Sequence, residues 1–187
     1  MARQIHHAPP ARLFFGVFTG FDRLFDWVRD RLEARFGPLD AEAESPVFPF
    51  PETQTYSQTM GSPLRRKFFF LLAPFPQDGL ARIKLETLKI EDESRQIEAW
   101  PVSRPINIDP GILNDCRIIL ASTKDFSHRL YRGDGIWEEV TLLYRAGAYQ
   151  SLPWTYPDFR RPDYHAYFEA QRKKYLDSLR QQNQARS

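Results

Sequence analysis

The chain is poor in cysteine, in lysine and in long apolar runs, and each shortage excludes something. Cys116 is the single cysteine among 187 residues. No disulfide and no multi-cysteine metal site can form within the chain, which suits a reducing compartment. Cys116 stands at the head of an apolar run, Arg-Ile-Ile-Leu, so it is expected as buried filler. No stretch approaches the roughly 20 apolar residues that cross a bilayer. The first ten residues lack the apolar core of a secretory signal. A cytoplasmic protein without membrane contact is the expectation. Lysine numbers 6 against 20 arginines, and the 26 cationic residues nearly balance 24 acidic ones, for a formal net charge of +2. A dedicated nucleic-acid binder carries a stronger basic excess.

Standard catalytic signatures are missing too. There is no G-x-x-x-x-G-K-[ST] phosphate loop, no G-x-G-x-x-G, no H-E-x-x-H and no G-x-S-x-G. The H-x-[ST] pair of two-histidine phosphoesterases is also absent. No metal site is assigned, because the spacing of Asp109, Asp125 and His128 is not diagnostic of one.

What the chain has is aromatic mass. With 15 Phe, 8 Tyr and 4 Trp, and 42% hydrophobic residues, it can build a substantial core. The length fits one domain, here expected over residues 11–180, with flexible tails at 1–10 and 181–187.

The run 12–18 is continuously apolar, the pattern of a strand covered on both faces. Thr19-Gly-Phe-Asp22 has capping-box spacing. It precedes a helical stripe of Phe21, Leu24, Phe25, Val28, Leu32 and Phe36 that Gly37-Pro38 stops. Residues 45–51 alternate proline with apolar residues and fit an edge strand or extended loop. The polar stretch 52–63 reads as a loop, and 67–73 as another buried strand. Leu80, Ile83, Thr87 and Ile90 form a helical stripe within 78–96. Residues 106–111 suggest a short extended piece that breaks into a turn, and 117–121 a strand. A meander follows, with Asp134-Gly135 at its hairpin. A last helix presents Tyr164, Tyr167, Phe168, Tyr175 and Leu179. This order predicts an α+β fold with helices mainly on one face. Its core is ferredoxin-like (split βαβ), extended by the meander and the C-terminal helix.

Chemistry concentrates at 123–129. An apolar strand ends there in Thr123-Lys124-Asp125, followed by Ser127-His128-Arg129, and loops held by a sheet are where sites are built. His128 suits acid–base work near neutral pH, with Asp125 either orienting it or opposing Lys124. Lys124, Arg129 and Thr123 suit an anion. The same residues also suit a turn with a surface ion pair. Asp109 either orders its own Pro-Gly turn or joins this site as a carboxylate. Glu138 and Glu139 fall on opposite strand faces, so one at most faces inward, with Arg129 or Lys124 as its partner. Trp154 and Tyr156 either wall a pocket or pin the linker to the last helix.

Met60-Gly-Ser-Pro-Leu64, Asn107-Ile-Asp-Pro-Gly111, the segment 121–129 and Leu152-Pro-Trp-Thr-Tyr-Pro-Asp-Phe159 together resemble an uncharacterised bacterial family, a domain of unknown function. Its members often carry the label "GTP-binding protein". The resemblance spans residues 10–180 and implies a small cytoplasmic protein, with no catalytic residue assigned. Thr123-Lys124-Asp125 departs from the guanine-reading Asn-Lys-x-Asp pattern, and no phosphate loop accompanies it, so a GTPase is not expected. Two readings remain. One is a site for a small anionic ligand such as a phosphate ester, with or without hydrolase or transferase chemistry. The other is a non-catalytic RNA- or protein-interaction module using Arg65-Arg66-Lys67 and Arg160-Arg161.

Overall fold

A computed structural model describes residues 7–50 and 54–186. The N-terminal tail expected over 1–10 therefore falls largely outside the described residues. In chain order the elements are β1 (Arg12–Thr19), α1 (Arg23–Phe36), β2 (Phe48–Pro49), α2 (Gln54–Met60), β3 (Arg65–Phe70) and α3 (Leu80–Ser94). Then come β4 (Ile106–Leu113), β5 (Arg117–Ser122), β6 (Leu130–Gly133), β7 (Ile136–Arg145), β8 (Ala148–Ser151) and α4 (Pro162–Arg186). The fold is α+β. One antiparallel sheet runs β2-β3-β1-β4-β5-β7-β6, and β8 also pairs with β7.

Alternation along β1 explains the layering, because successive side chains leave opposite faces. Leu13, Phe15 and Val17 pack under Leu24, Val28 and Leu32 of α1 and Leu80, Ile83 and Ile90 of α3. Phe14, with Phe68 and Phe70 of β3, packs under Tyr164, Phe168 and Tyr175 of α4. Helices therefore cover both faces, where a one-sided arrangement was expected. The all-apolar strands β1 and β3 require this, since neither face of them tolerates water. The predicted stripes of α1, α3 and α4 are the ones buried. Helix α4 continues to Arg186, past the point where a polar tail was expected to begin.

Four local expectations are corrected. Thr19 and Asp22 form no capping box: Thr19 Oγ1 donates to the Pro105 carbonyl at 2.7 Å, and Asp22 pairs with Arg65. Within 52–63, residues 54–60 form α2, whose Tyr56 and Met60 lie one turn apart and pack beside Phe18 and Leu64. Residues 51–53 lie outside the described residues. The 130–151 region is no simple meander, because β7 inserts between β5 and β6. The hairpin turns are as expected, with Asp134 and Gly135, then Ala146 and Gly147, at positive φ. Cys116 is exposed in the tight β4–β5 connection, held there by Asn114 Oδ1, which accepts its amide at 3.1 Å.

The fifth correction matters most for function. Asp109-Pro110-Gly111 is no turn but the middle of β4, in register with Gly16, Phe15 and Phe14 of β1. Proline is rare in inner strands because it lacks an amide donor. Here β4 pairs with β5 only from Gly111 onward. Pro110 stands just before that point, so its missing N–H removes no bond to β5. Gly111 serves close approach: a Cβ there would lie 2.7 Å from the Ile119 carbonyl oxygen and 2.5 Å from Phe14 Cζ.

Candidate functional site

The site follows from a split in the sheet. Only Gly111, Ile112 and Leu113 pair with β5, leaving Ile106–Pro110 without a strand on that side. An unpaired inner strand would leave buried backbone groups without partners, which costs free energy. Helix α3 supplies side chains instead. Lys84 Nζ donates to the Ile108 carbonyl at 2.6 Å, and Glu91 Oε1 accepts the Ile108 amide at 3.0 Å. Glu91 Oε2 in turn accepts Arg104 Nη2 at 2.8 Å. Lys84 and Glu91 belong to the buried stripe of α3, one residue beyond Ile83 and Ile90. A lysine and a glutamate at such positions are the signal by which the sequence could have shown them.

Between the parted strands lies a cavity of about 430 Å³, within the range of small-molecule sites. Five cationic residues, Arg66, Lys84, Arg104, Lys124 and Arg129, and three acidic ones, Asp109, Glu139 and Asp158, line it. Phe18, Phe50, Tyr56, Tyr156 and Phe159 provide aromatic walls. The Arg66 guanidinium carbon lies 4.8 Å from the ring centres of both Phe18 and Phe50. It holds Asp158 on Nη1 and Asp109 on Nη2, the latter at 2.9 Å.

The two carboxyls differ in environment. The Asp158 side chain is 4% exposed, and that of Asp109 is 28% exposed where it lines the cavity. Burial alone would raise the pKa of Asp109, but Lys84, Arg66, the approach of the Asn107 side chain and Arg104 outweigh it and hold the group below its ordinary value. Burial pushes Asp158 up against the pull of Arg66, and the charge of Asp109 adds to the rise. Asp109 is thus firmly anionic and within reach of a ligand.

On the opposite wall Arg129 ties three segments together. Nε donates to Glu139 Oε2 at 2.8 Å, Nη1 to Ser122 Oγ at 2.9 Å and to the Lys124 carbonyl at 2.8 Å, and Nη2 to Tyr156 Oη at 2.6 Å. Glu139 is the inward glutamate and Arg129 its partner, as alternation along β7 requires. Glu138 pairs with Arg132 instead.

The structure brings Asp109, Thr123, Lys124, Arg129 and Tyr156 onto this one cavity, although they come from three separate stretches of chain. It does not bring His128, Asp125 or Trp154 into the lining. His128 Nε2 lies 3.0 Å from Glu139 Oε2, and its ring stacks on Trp154 at 5.2 Å. Trp154 Nε1 donates to the Val140 carbonyl, which pins the linker. Asp125 is exposed. Among the described residues no group of three or more His, Cys, Asp or Glu side chains could hold a metal ion, and no helix is long and apolar enough to cross a membrane. Sequence reasoning missed Lys84, Arg104 and Asp158 as lining residues, and gave Arg66 only a surface role.

In comparison with known proteins, the model of the family described as domain of unknown function (DUF4416) matches residues 9–175. No curated protein matches the chain, and no solved structure does.

Proposed function

The chain belongs to the DUF4416 family, whose description assigns no activity, and from its own residues we propose that it binds a small anionic molecule in the cleft between β4 and β5. The observation that carries this reading is the excess of cationic over acidic side chains around one ligand-sized cavity. In a partly dehydrated cleft such an excess attracts an anion more strongly than it would in water. Lys124, at the exposed rim, makes no ion pair among the described residues, so its charge is available. Thr123, Arg129 and Tyr156 complete that wall. Asp109 faces them, and His128 acts behind Glu139 as a positioning residue. Within this reading, β1-α1-β2 and β3-α3-β4 form the ferredoxin-like split βαβ core, which the order β2-β3-β1-β4 supports.

The interaction-module reading finds less support. Arg66 is buried, Arg65 pairs with Asp22, and Lys67 pairs with Glu44. Arg160 is spent on the carbonyls of Thr155, Leu152 and Pro153, and Arg161 on Asp163. Guanine reading is not supported either, since Asp125 is outside the cavity lining.

Calorimetric and thermal-unfolding titrations of the full chain with inorganic phosphate, pyrophosphate and citrate test the proposal. A ligand at 100 times its Kd should add about 2.7 kcal/mol of stability, and Lys124→Ala should weaken binding without lowering the stability of the free protein. Absence of saturable binding by all three anions at low salt overturns it.

A further inference from the structure

The groups that the cavity leaves unsatisfied narrow the ligand further. Glu139 is fully engaged, by Arg129 and His128 on Oε2 and by Thr141 on Oε1. Asp158 is bound by Arg66. Asp109 differs, because only Oδ2 is taken, by Arg66. Its Oδ1 lies 3.7 Å from Lys84 Nζ, beyond hydrogen-bonding distance, and the Asn107 side chain approaches the carboxylate only as a weak donor, without the geometry of a full hydrogen bond. Two residues before it, on the same face of β4, Asn107 is 5% exposed, and its Nδ2 has no hydrogen-bond partner among the described residues. Its Oδ1 is held by Arg104, which fixes the amide with its nitrogen unpaired. Side chains two apart on a strand leave its face about 7 Å apart at their roots, so one small group can touch both.

An open acceptor beside a buried, unpaired donor is completed by a group that both donates and accepts, and a hydroxyl does both. An ammonium only donates, and a carboxamide does both but through two separate atoms, whereas a hydroxyl does so through one. The cationic rim at Lys124 addresses a different part of the same molecule. We propose that the ligand is a hydroxylated anion, a polyol phosphate or a sugar acid. In this assignment a hydroxyl donates to Asp109 Oδ1 and accepts from Asn107 Nδ2, while the phosphate or carboxylate faces Lys124. The assignment rests on the anion-binding reading above and adds to it a discrimination between anions of equal charge. A site whose buried polar groups are completed by a ligand hydroxyl rejects the analogue that lacks it, since the analogue leaves both groups unpaired.

The experiment is a calorimetric titration of the full chain with ribose 5-phosphate and gluconate, each against its plain counterpart, methyl phosphate and acetate. The expected result is that at least one hydroxylated probe binds about tenfold or more tightly than its counterpart. Which pair shows the gain tells phosphate from carboxylate. Asp109→Asn should abolish the gain while retaining the plain anion. Should that variant fail to fold, Asn107→Ser provides the same comparison. Equal binding of hydroxylated and plain probes overturns the hydroxyl assignment and leaves the anion site standing. A gain that survives both substitutions also overturns it. Failure of all four probes, together with phosphate, pyrophosphate and citrate, removes both.

Discussion

Glu91 of α3 accepts the amide proton of Ile108 at 3.0 Å, in the place where a neighbouring strand would supply a carbonyl. With Lys84 on the Ile108 carbonyl, a helix completes the hydrogen bonding of a strand. The sheet can part at this point because these two side chains are there. The opening that results is the cavity.

Removing both members of this pair should cost less than the sum of removing each alone. Glu91→Leu strips the Ile108 amide, Lys84 and Arg104 of a shared partner and leaves a buried ammonium poorly compensated. About 3–5 kcal/mol of stability should be lost, as for other broken buried pairs. The double variant Lys84→Met/Glu91→Leu should lose less than the sum of the two single changes. Urea unfolding of the four proteins measures the coupling, and simple additivity would contradict it.

Acid should find a specific weak point at Asp109. Its folded pKa lies below its ordinary value because Lys84, Arg66, the Asn107 side chain and Arg104 outweigh the effect of burial. Such a group contributes stability above its unfolded pKa, near 3.9, and that contribution is lost as pH falls through the lower folded value. Asp158, whose pKa is raised by burial, works with the opposite sign and favours the folded state as it protonates. Asp109→Asn should therefore flatten the fall in unfolding free energy below about pH 4, as read by denaturation at a series of pH values. An unchanged acid limb would refute this.

Gly111→Ala should destabilise the protein although it sits in a strand, where alanine is normally the better residue. The added methyl would meet the Ile119 carbonyl at 2.7 Å, a backbone atom that cannot rotate away. The expected loss is about 1–3 kcal/mol, seen as a lower urea midpoint at unchanged slope. A neutral or stabilising effect would mean that β4 and β5 stand further apart.

Cys116 should react fully with a disulfide reagent in the native state, because it is exposed. Partial burial and the charge of Asp115 raise its pKa above the ordinary value, so thiolate is scarce at neutral pH. Stopped assays across pH should show the rate still climbing above pH 8.5, the ordinary thiol value. Protection that disappears only on unfolding would contradict the exposure.

Periodicity made much of the fold legible. The stripe Leu24, Val28 and Leu32 and the stripe Tyr164, Phe168 and Tyr175 are local patterns, and both reach the core as expected. Proline and glycine misled in β4, since Asp-Pro-Gly signals a turn only when the chain is free to turn. Here pairing with β1 through Gly16↔Asp109 overrides the local signal. At the site, the crowding of Thr123, Lys124 and Arg129 after an apolar strand was visible. Their meeting with Asp109 depends on long-range register, which no local pattern encodes. His128 looked catalytic by type, yet its partner Glu139 holds it behind the wall. Lys84 and Glu91 were hidden because an apolar stripe draws attention away from the charged residues inside it.

The three paired positions Gly111↔Leu120, Ile112↔Ile119 and Leu113↔Ile118, closed by the Asn114 N–H on the Arg117 carbonyl at 3.1 Å, stitch β4 to β5. Mechanically, the sheet is two plates on a short seam: one carries β2, β3, β1 and β4, and the other carries β5 to β8. A twist of one plate against the other has only that seam to strain, whereas an evenly paired sheet would resist it along its whole length. The width of the opening is thus set by the side chains packed across it, the α3 stripe with Ile106 and Ile108 on one side and Ala121 and Ile136 on the other, and not by backbone pairing.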